Sequence, residues 1–260
     1  MTLTPKYPPP RNLLKGQTVV VTAAAGTGIG YAVGKRAVEE GAKVLISDFH
    51  ERRLNEAADR MAEETGSERP LTHLCDVTQQ DQVDALRDAA VAGLGHVDVL
   101  INNAGLGGET SVVEMTDDQW HRVIDVTLNS VFRMTRAFLP HMQDRKAGAI
   151  VNNASVLGWR AQKGQAHYAA AKAGVMAFTR CSALEAAEYG VRINAVAPSI
   201  AMHAFLAKVT TDEMLAELSA KEAFGRPAEV WEVANAMIFL ASDLSSYMTG
   251  EVLSVSSQRA

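Results

Sequence analysis

Seven short aliphatic runs recur along this chain, and a helix-length segment separates most of them. The first run is Thr18-Val19-Val20-Val21-Thr22. It is β-branched throughout and has no polar face, which suits a strand buried on both sides. The others are Val44–Ser47, Leu71–Cys75, Val97–Ile101, Ala149–Asn152, Val191–Val196 and Glu251–Val255. Between them the pattern predicts a helix ending near Glu40-Gly41, then helices Arg52–Glu64 and Gln79–Ala92. Thr116 and Gln119 form a capping box that opens one long helix to about Met142. Helix Ala166–Glu188 follows, and Pro227 opens a last helix to Ala241. Strands that alternate with helices join in parallel through crossovers. The predicted class is therefore α/β: a single-domain Rossmann fold, a doubly wound parallel sheet of about seven strands with helices on both faces.

Two segments fall outside that rhythm. Residues 1–15 are proline-rich, and the expectation is a stretch extended over the surface or disordered. The catalytic domain would then be 16–260. Residues 199–226 interrupt the alternation and read as a substrate lid, with a short helix after Thr210. Met202, Phe205, Leu206 and Met214 give it an apolar face that a bulky apolar substrate would use.

Composition narrows the partners. The 260 residues are 47% hydrophobic, enough for one large core. Net charge is -5 and no basic stripe is visible, which argues against nucleic acid. No apolar run approaches a membrane span, and Met1–Arg11 has no apolar signal core. A cytoplasmic protein with a small-molecule substrate is expected. Cys75 and Cys181 each sit in an apolar segment and read as reduced core thiols, not as a disulfide or metal site.

Gly26, Gly28 and Gly30 follow the first strand and precede the first helix. Glycines there let a dinucleotide pyrophosphate approach the backbone, and the helix N-terminus supplies N–H donors. Asp48 ends the second strand, eighteen positions after Gly30. A carboxylate there binds both ribose hydroxyls of NAD and repels the 2′-phosphate of NADP; an ordinary strand-end helix cap is the plainer reading. Arg52 and Arg53 lie close enough to soften the preference. Asp76 reads either as an adenine contact or as a turn aspartate. Asn102-Asn103-Ala104-Gly105 closes the fourth strand, with amides to bond backbone and small residues where a cofactor lies close.

Tyr168 and Lys172 stand four residues apart with three alanines between them. Alanine favours helix, so both side chains share one face. An ammonium beside a phenol favours the phenolate and is expected to lower the tyrosine pKa, making a general acid/base. Ser155 precedes Tyr168 by thirteen positions, after a strand, where its hydroxyl can hold a substrate oxygen. The pair alone is common and would ordinarily be a solvated helical pair; its company in the chain decides otherwise. His167 and His203 read as structural or solvent-facing. Trp159 and Arg160 read as mouth-lining or loop-packing residues.

In this order and spacing, these motifs resemble the short-chain dehydrogenase/reductase family. The resemblance runs from Lys15 to Val255 and includes Arg192-Ile193-Asn194-Ala195-Val196, Phe239–Asp243 and Thr249-Gly250. It implies a nicotinamide cofactor, NAD more than NADP, and a homotetramer built on Asp117–Met142 and Ala166–Glu188. It assigns Ser155, Tyr168 and Lys172 to catalysis, with Thr127 where the family often has Asn. Its cofactor contacts fall on Gly26, Thr27, Gly28, Ile29, Gly30, Asp48, Asp76, Val77, Asn103, Ala104, Gly105, Tyr168, Lys172, Pro198 and Ile200; no metal is implied. There are departures. The glycine loop has Ala23 after Thr22 and is one residue longer than usual. Ser199 replaces a glycine, His203 falls near the usual carboxamide-contacting Thr, and Ser256-Ser257-Gln258 replaces Asp-Gly-Gly. V-N-N-A-S-V-L-G-W-R-A-Q, P-S-I-A and S-V-S-S-Q-R-A resemble an actinobacterial branch linked to steroid-ring catabolism. Such enzymes act on hydroxylated bicyclic CoA thioesters, and Arg160, Lys163 or Arg259 would then meet CoA phosphates. The competing expectations are a fatty-acid-type 3-oxoacyl thioester reductase, against which Asp48 argues, and a non-catalytic cofactor-binding protein, suggested by Thr127.

Overall fold

A computed structural model describes residues 5–202 and 212–258. His203, Phe205, Leu206 and Arg259 lie outside the described residues, as does the Met214 side chain. The seven-stranded sheet has the order β3-β2-β1-β4-β5-β6-β9, every pairing parallel. Its strands are β1 (Thr18–Thr22), β2 (Lys43–Asp48), β3 (Leu71–Leu74), β4 (Val99–Asn102), β5 (Gly148–Asn153), β6 (Val191–Pro198) and β9 (Val252–Val255). The order reverses between β1 and β4. At that crevice the C-terminal ends of the strands present Thr22, Asp48, Asn102 and Asn153, where doubly wound sheets take their ligands.

The hydrophobic strand runs explain the layers. Val19 and Val21 face one core with helices α1 (Ile29–Glu39) and α2 (Glu51–Thr65), while Val20 and Leu100 face the other with α3 (Gln80–Leu94). Each such side chain, fully buried, contributes about 1.5–3 kcal/mol. The single helix expected from Asp117 to Met142 is instead two, α4 (Asp117–Ile124) and α5 (Ser130–Arg145), joined by a π-helical turn over Asp125–Asn129. The Thr116–Gln119 capping box is present. The widened turn carries Thr127 into the interior, where it is fully buried. Helix α6 (Ala166–Ala187) runs unbroken for 22 residues.

After β6, the short strand β7 (Ala201–Met202) pairs in parallel with β8 (Ala228–Glu229), and α7 (Asp212–Ala220) lies between them in sequence. The last helix, α8 (Val230–Ala241), therefore starts three residues later than Pro227: Ala228 and Glu229 are taken by pairing, and Glu229 with Glu232 forms the capping box. The proline-rich N-terminal stretch is held from Tyr7 onward. Arg36 donates to the Pro8 and Pro9 carbonyls, and the fully buried Glu40 accepts from the Arg11 and Leu13 amides at 2.9 Å each. Tyr7 meets the Trp231 ring edge-on at 5.4 Å. Cys75 is buried as expected, but Cys181 is exposed, on the outer face of α6.

Candidate active site

The β1–α1 turn is built for close approach. A Cβ on Gly30 would lie 2.4 Å from the Ala23 carbonyl oxygen and 2.5 Å from the Asn103 amide nitrogen, so only glycine fits. A Cβ on Gly26 would meet nothing within 4 Å, leaving that face open. Gly28 caps α1 with no side-chain hydrogen bond, and the first turn has no acidic residue, so its N–H donors remain for an anion. The longer loop has a cost: Ala23 sits at φ 53°, a left-handed conformation that glycine adopts freely.

A hydrogen-bonded network ties the strand ends together. The Thr22 hydroxyl accepts from the amides of Asn103 at 3.0 Å and Ala104 at 3.2 Å. Asn103 Nδ2 donates to the Thr22 and Ala23 carbonyls, and Asn153 Nδ2 donates to Asn103 Oδ1 at 3.0 Å. One layer deeper, Asn102 donates to Asn152, which donates to Thr179 on α6, both at 2.9 Å. Asn103 bonds backbone between strands as expected, whereas the Asn102 amide goes to a side chain instead. Its partners on β5 were not singled out for this role, although Asn152 pairs with Asn102 in register.

Beside this network lies a cavity of about 350 Å³, bounded in part by Ala23, Asp48, Asp76, Val77, Ala104 and Gly105. Asp48 Oδ2 accepts from the Ala25 amide and Oδ1 from the His50 amide, each at 3.1 Å. Burial raises the Asp48 pKa, and the Ala25 bond and the Arg53 charge oppose the rise. Arg52 points outward to Glu56. One Asp76 oxygen caps its own turn, accepting from the Thr78 amide and hydroxyl at 2.9 and 2.7 Å. Phe49, 63% exposed on the same rim, drew no notice in the sequence. Pro198 ends β6 and Ile200 follows it, and neither lines this cavity; the Ile200 carbonyl instead accepts from Ala228. The cleft thus offers an acidic strand end, an uncapped helix and a glycine cradle, a donor set that fits a dinucleotide.

The catalytic candidates meet across the crevice. Ser155 has an extended backbone, opens a short 3₁₀ turn and accepts from the Leu157 amide at 3.2 Å. Tyr168 lies one turn before Lys172 on α6, with Lys172 Nζ 5.5 Å from the ring centre. Lys172 donates to the Asn153 carbonyl and is 2% exposed. A Cβ on Gly105 would come within 3.3 Å of Nζ, so the cavity wall passes close to the lysine. The expected depression of the tyrosine is not found in the chain alone. Burial pushes Tyr168 up to about 12, with the Ser155 hydroxyl opposing, and pushes Lys172 down to about 7. Burial sets both shifts, and neither residue's charge contributes to the shift of the other. Thr127 spends its hydroxyl on Leu106, accepting from the amide at 3.0 Å and donating to the carbonyl at 3.2 Å. His167 is buried, so the solvent-facing alternative fails. Trp159 is half exposed, and Arg160 reaches Gln258.

The sequence profile described as "Enoyl-(Acyl carrier protein) reductase" matches residues 23–257. A Mycobacterium tuberculosis protein, "(5R,7aS)-5-hydroxy-7a-methyl-1-oxo-2,3,5,6,7,7a-hexahydro-1H-indene-carboxyl-CoA reductase", is 62% identical over 99% of this chain and 98% of its own. A short chain dehydrogenase from Mycobacterium smegmatis superposes with a TM-score of 0.89 at 58% identity, covering 100% and 99% of the two chains. An NAD⁺-bound xylitol dehydrogenase superposes with a TM-score of 0.87 at 29% identity, covering 94% and 99%. Among the described residues no helix is long and apolar enough to cross a membrane.

Proposed function

Since the chain belongs to the short-chain dehydrogenase/reductase family and is an oxidoreductase, we propose that it interconverts a secondary alcohol and a ketone on a hydroxy-indanone CoA thioester. The mycobacterial relative, named for that chemistry and matched over nearly its full length, supports the substrate class. The observation that supports the mechanism is the grouping of Ser155, Tyr168 and Lys172, with Lys172 Nζ beside Gly105 on the wall of the cavity that Asp48 lines. The nicotinamide cofactor, when bound, accepts or supplies the hydride. Tyr168 takes the hydroxyl proton on oxidation and returns it on reduction. Ser155, fixed by the Leu157 amide, holds the reacting oxygen. Lys172 lies beside Gly105, where it would bind ribose hydroxyls and, as the ammonium, support the Tyr168 phenolate.

Gly26, Thr27, Gly28, Ile29 and Gly30 would hold the pyrophosphate; Asp48 the adenosine ribose; and Asp76, Val77, Asn103, Ala104 and Gly105 the rest of the cofactor, with Pro198 and Ile200 at its nicotinamide end. NAD is the proposed cofactor, because both Asp48 oxygens are directed by backbone amides at the ribose position. Thr127 acts through Leu106 as a positioning residue. A single domain with residues 199–226 as its lid, cytoplasmic location and a homotetramer complete the reading. The tetramer is supported by Phe132 and Leu184, exposed on α5 and α6, and molar mass by light scattering decides it. The functional test is oxidation and reduction of hydroxy and oxo thioesters, steroids and fatty 3-oxoacyl thioesters with both cofactors. Turnover confined to the fatty 3-oxoacyl thioesters with NADPH would overturn the proposal.

A further inference from the structure

One buried charge has no part in the chemistry above. Glu222, just past α7, is 4% exposed. Its Oε2 accepts from the Ser257 amide at 3.1 Å and the Ser257 hydroxyl at 2.8 Å. Its Oε1 is buried and meets no hydrogen-bond donor among the described residues. The backbone reinforces the clamp: Ala223 donates to the Ser257 carbonyl, and Glu222 bridges Gln258 in antiparallel fashion. One oxygen is therefore fixed by the C-terminal tail, and the other is held in a set position without a partner. A buried carboxylate oxygen in that state is unfavourable until a donor reaches it.

Glu222 lines a cavity of about 800 Å³. Leu157 on its wall belongs to the turn that Ser155 opens, and Arg160 follows that turn, so this space lies beside the segment that carries Ser155. It is larger than a fused bicyclic ring requires. Its basic side chains are occupied or directed elsewhere: Lys221 pairs with Glu217 at 2.9 Å, Arg160 bonds Gln258, and Lys163 is exposed. None of them neutralises Glu222. Glu222 also borders a second cavity of about 150 Å³, too small for an extended ligand.

We propose that Glu222 Oε1 accepts a hydrogen bond from an amide N–H of the pantetheine arm of a CoA thioester, which makes Glu222 a specificity-determining residue. This rests on the thioester reading given above. A pantetheine arm brings the required chemistry: secondary amide donors that need acceptors once out of water, and methylenes that suit Leu157 and Leu218. The exposed Lys163 at the same cavity suits the phosphates beyond. A carboxylate acceptor makes a stronger bond to such an N–H than a neutral one.

Calorimetric titration of coenzyme A and of pantetheine into the NAD-loaded enzyme tests this. The variants are Glu222→Gln and Ser257→Ala. Glutamine keeps an oxygen for Ser257 and puts a donor where Oε1 stands. Ser257→Ala loosens the clamp but leaves Oε1 and the Ser257 amide. The expected result is that Glu222→Gln weakens both ligands about ten- to a hundredfold, the loss typical of a hydrogen bond to a charged group, while Ser257→Ala changes them by less than about threefold. Wild-type affinity in Glu222→Gln would overturn the proposal. So would an equal loss in Ser257→Ala, which would mean that the tail and not the free oxygen sets affinity. Failure of coenzyme A to bind the wild-type enzyme would sink the thioester reading itself, and the role of Glu222 with it.

Discussion

Replacing Lys172 with methionine should stabilise the cofactor-free protein, and by an amount that depends on pH. Lys172 is 2% exposed, donates to the Asn153 carbonyl and has its pKa pushed by burial from 10.5 to about 7. A drop of that size corresponds to about 5 kcal/mol against the charged form. The folded-state pKa lies below the unfolded one, so the unfolded chain binds the extra proton between about pH 7 and 10.5. The penalty on folding is whole below pH 7, shrinks through that window and is gone above it. Methionine keeps the apolar stem and never carries the charge. It also leaves the Asn153 carbonyl without its donor, which costs about 1–3 kcal/mol. The variant should therefore gain about 2–4 kcal/mol at pH 6 and, with only about 1 kcal/mol of penalty left at pH 9.5, lie there between wild-type stability and a loss of about 2 kcal/mol. Urea unfolding of both proteins at the two pH values measures this. A variant less stable than wild type by the same amount at both would refute the reasoning, because Lys172 would then be solvated or already paired.

Asp48→Ser should shift preference from NAD towards NADP by at least about tenfold, since a charge-assisted bond to the ribose is lost along with the repulsion of a 2′-phosphate; titrating both cofactors measures it, and an unchanged ratio would move the decision to Arg53. Thr127→Val should lower turnover moderately, about three- to tenfold, by freeing Leu106 beside the cofactor loop and leaving its amide unmet. Steady-state rates with Thr127→Ser as the rescuing variant check that, and a rate loss that serine does not restore would assign the effect to packing.

The sheet was legible because its central strands are buried on both faces, and a run such as Thr18–Thr22 has no other stable place. The site was legible where a residue type is dictated locally: Gly30 by the Ala23 carbonyl above it, Asp48 by its position at a strand end. What escaped depended on distant partners. The break at Asp125–Asn129 has no proline or glycine to announce it. The N-terminal stretch looked free because its anchors, Arg36 on α1 and Glu40 at the cap of that helix, lie some thirty residues away and nothing in the stretch announces them. The last helix starts late because Ala228 pairs with a two-residue strand that no periodicity reveals. Lys172 was expected to act as a charge on Tyr168, but spacing on a helix says nothing of the burial that governs both groups.

The most direct measurement is single-turnover formation of NADH by Tyr168→Phe with the hydroxy-indanone CoA thioester, alongside NAD affinity by fluorescence. Phenylalanine keeps the ring and removes only the proton-transferring hydroxyl. The account predicts a rate lowered about a hundredfold to ten-thousandfold, with NAD affinity unchanged. A variant that turns over within about threefold of wild type would contradict it, since proton transfer by a positioned group contributes far more than that.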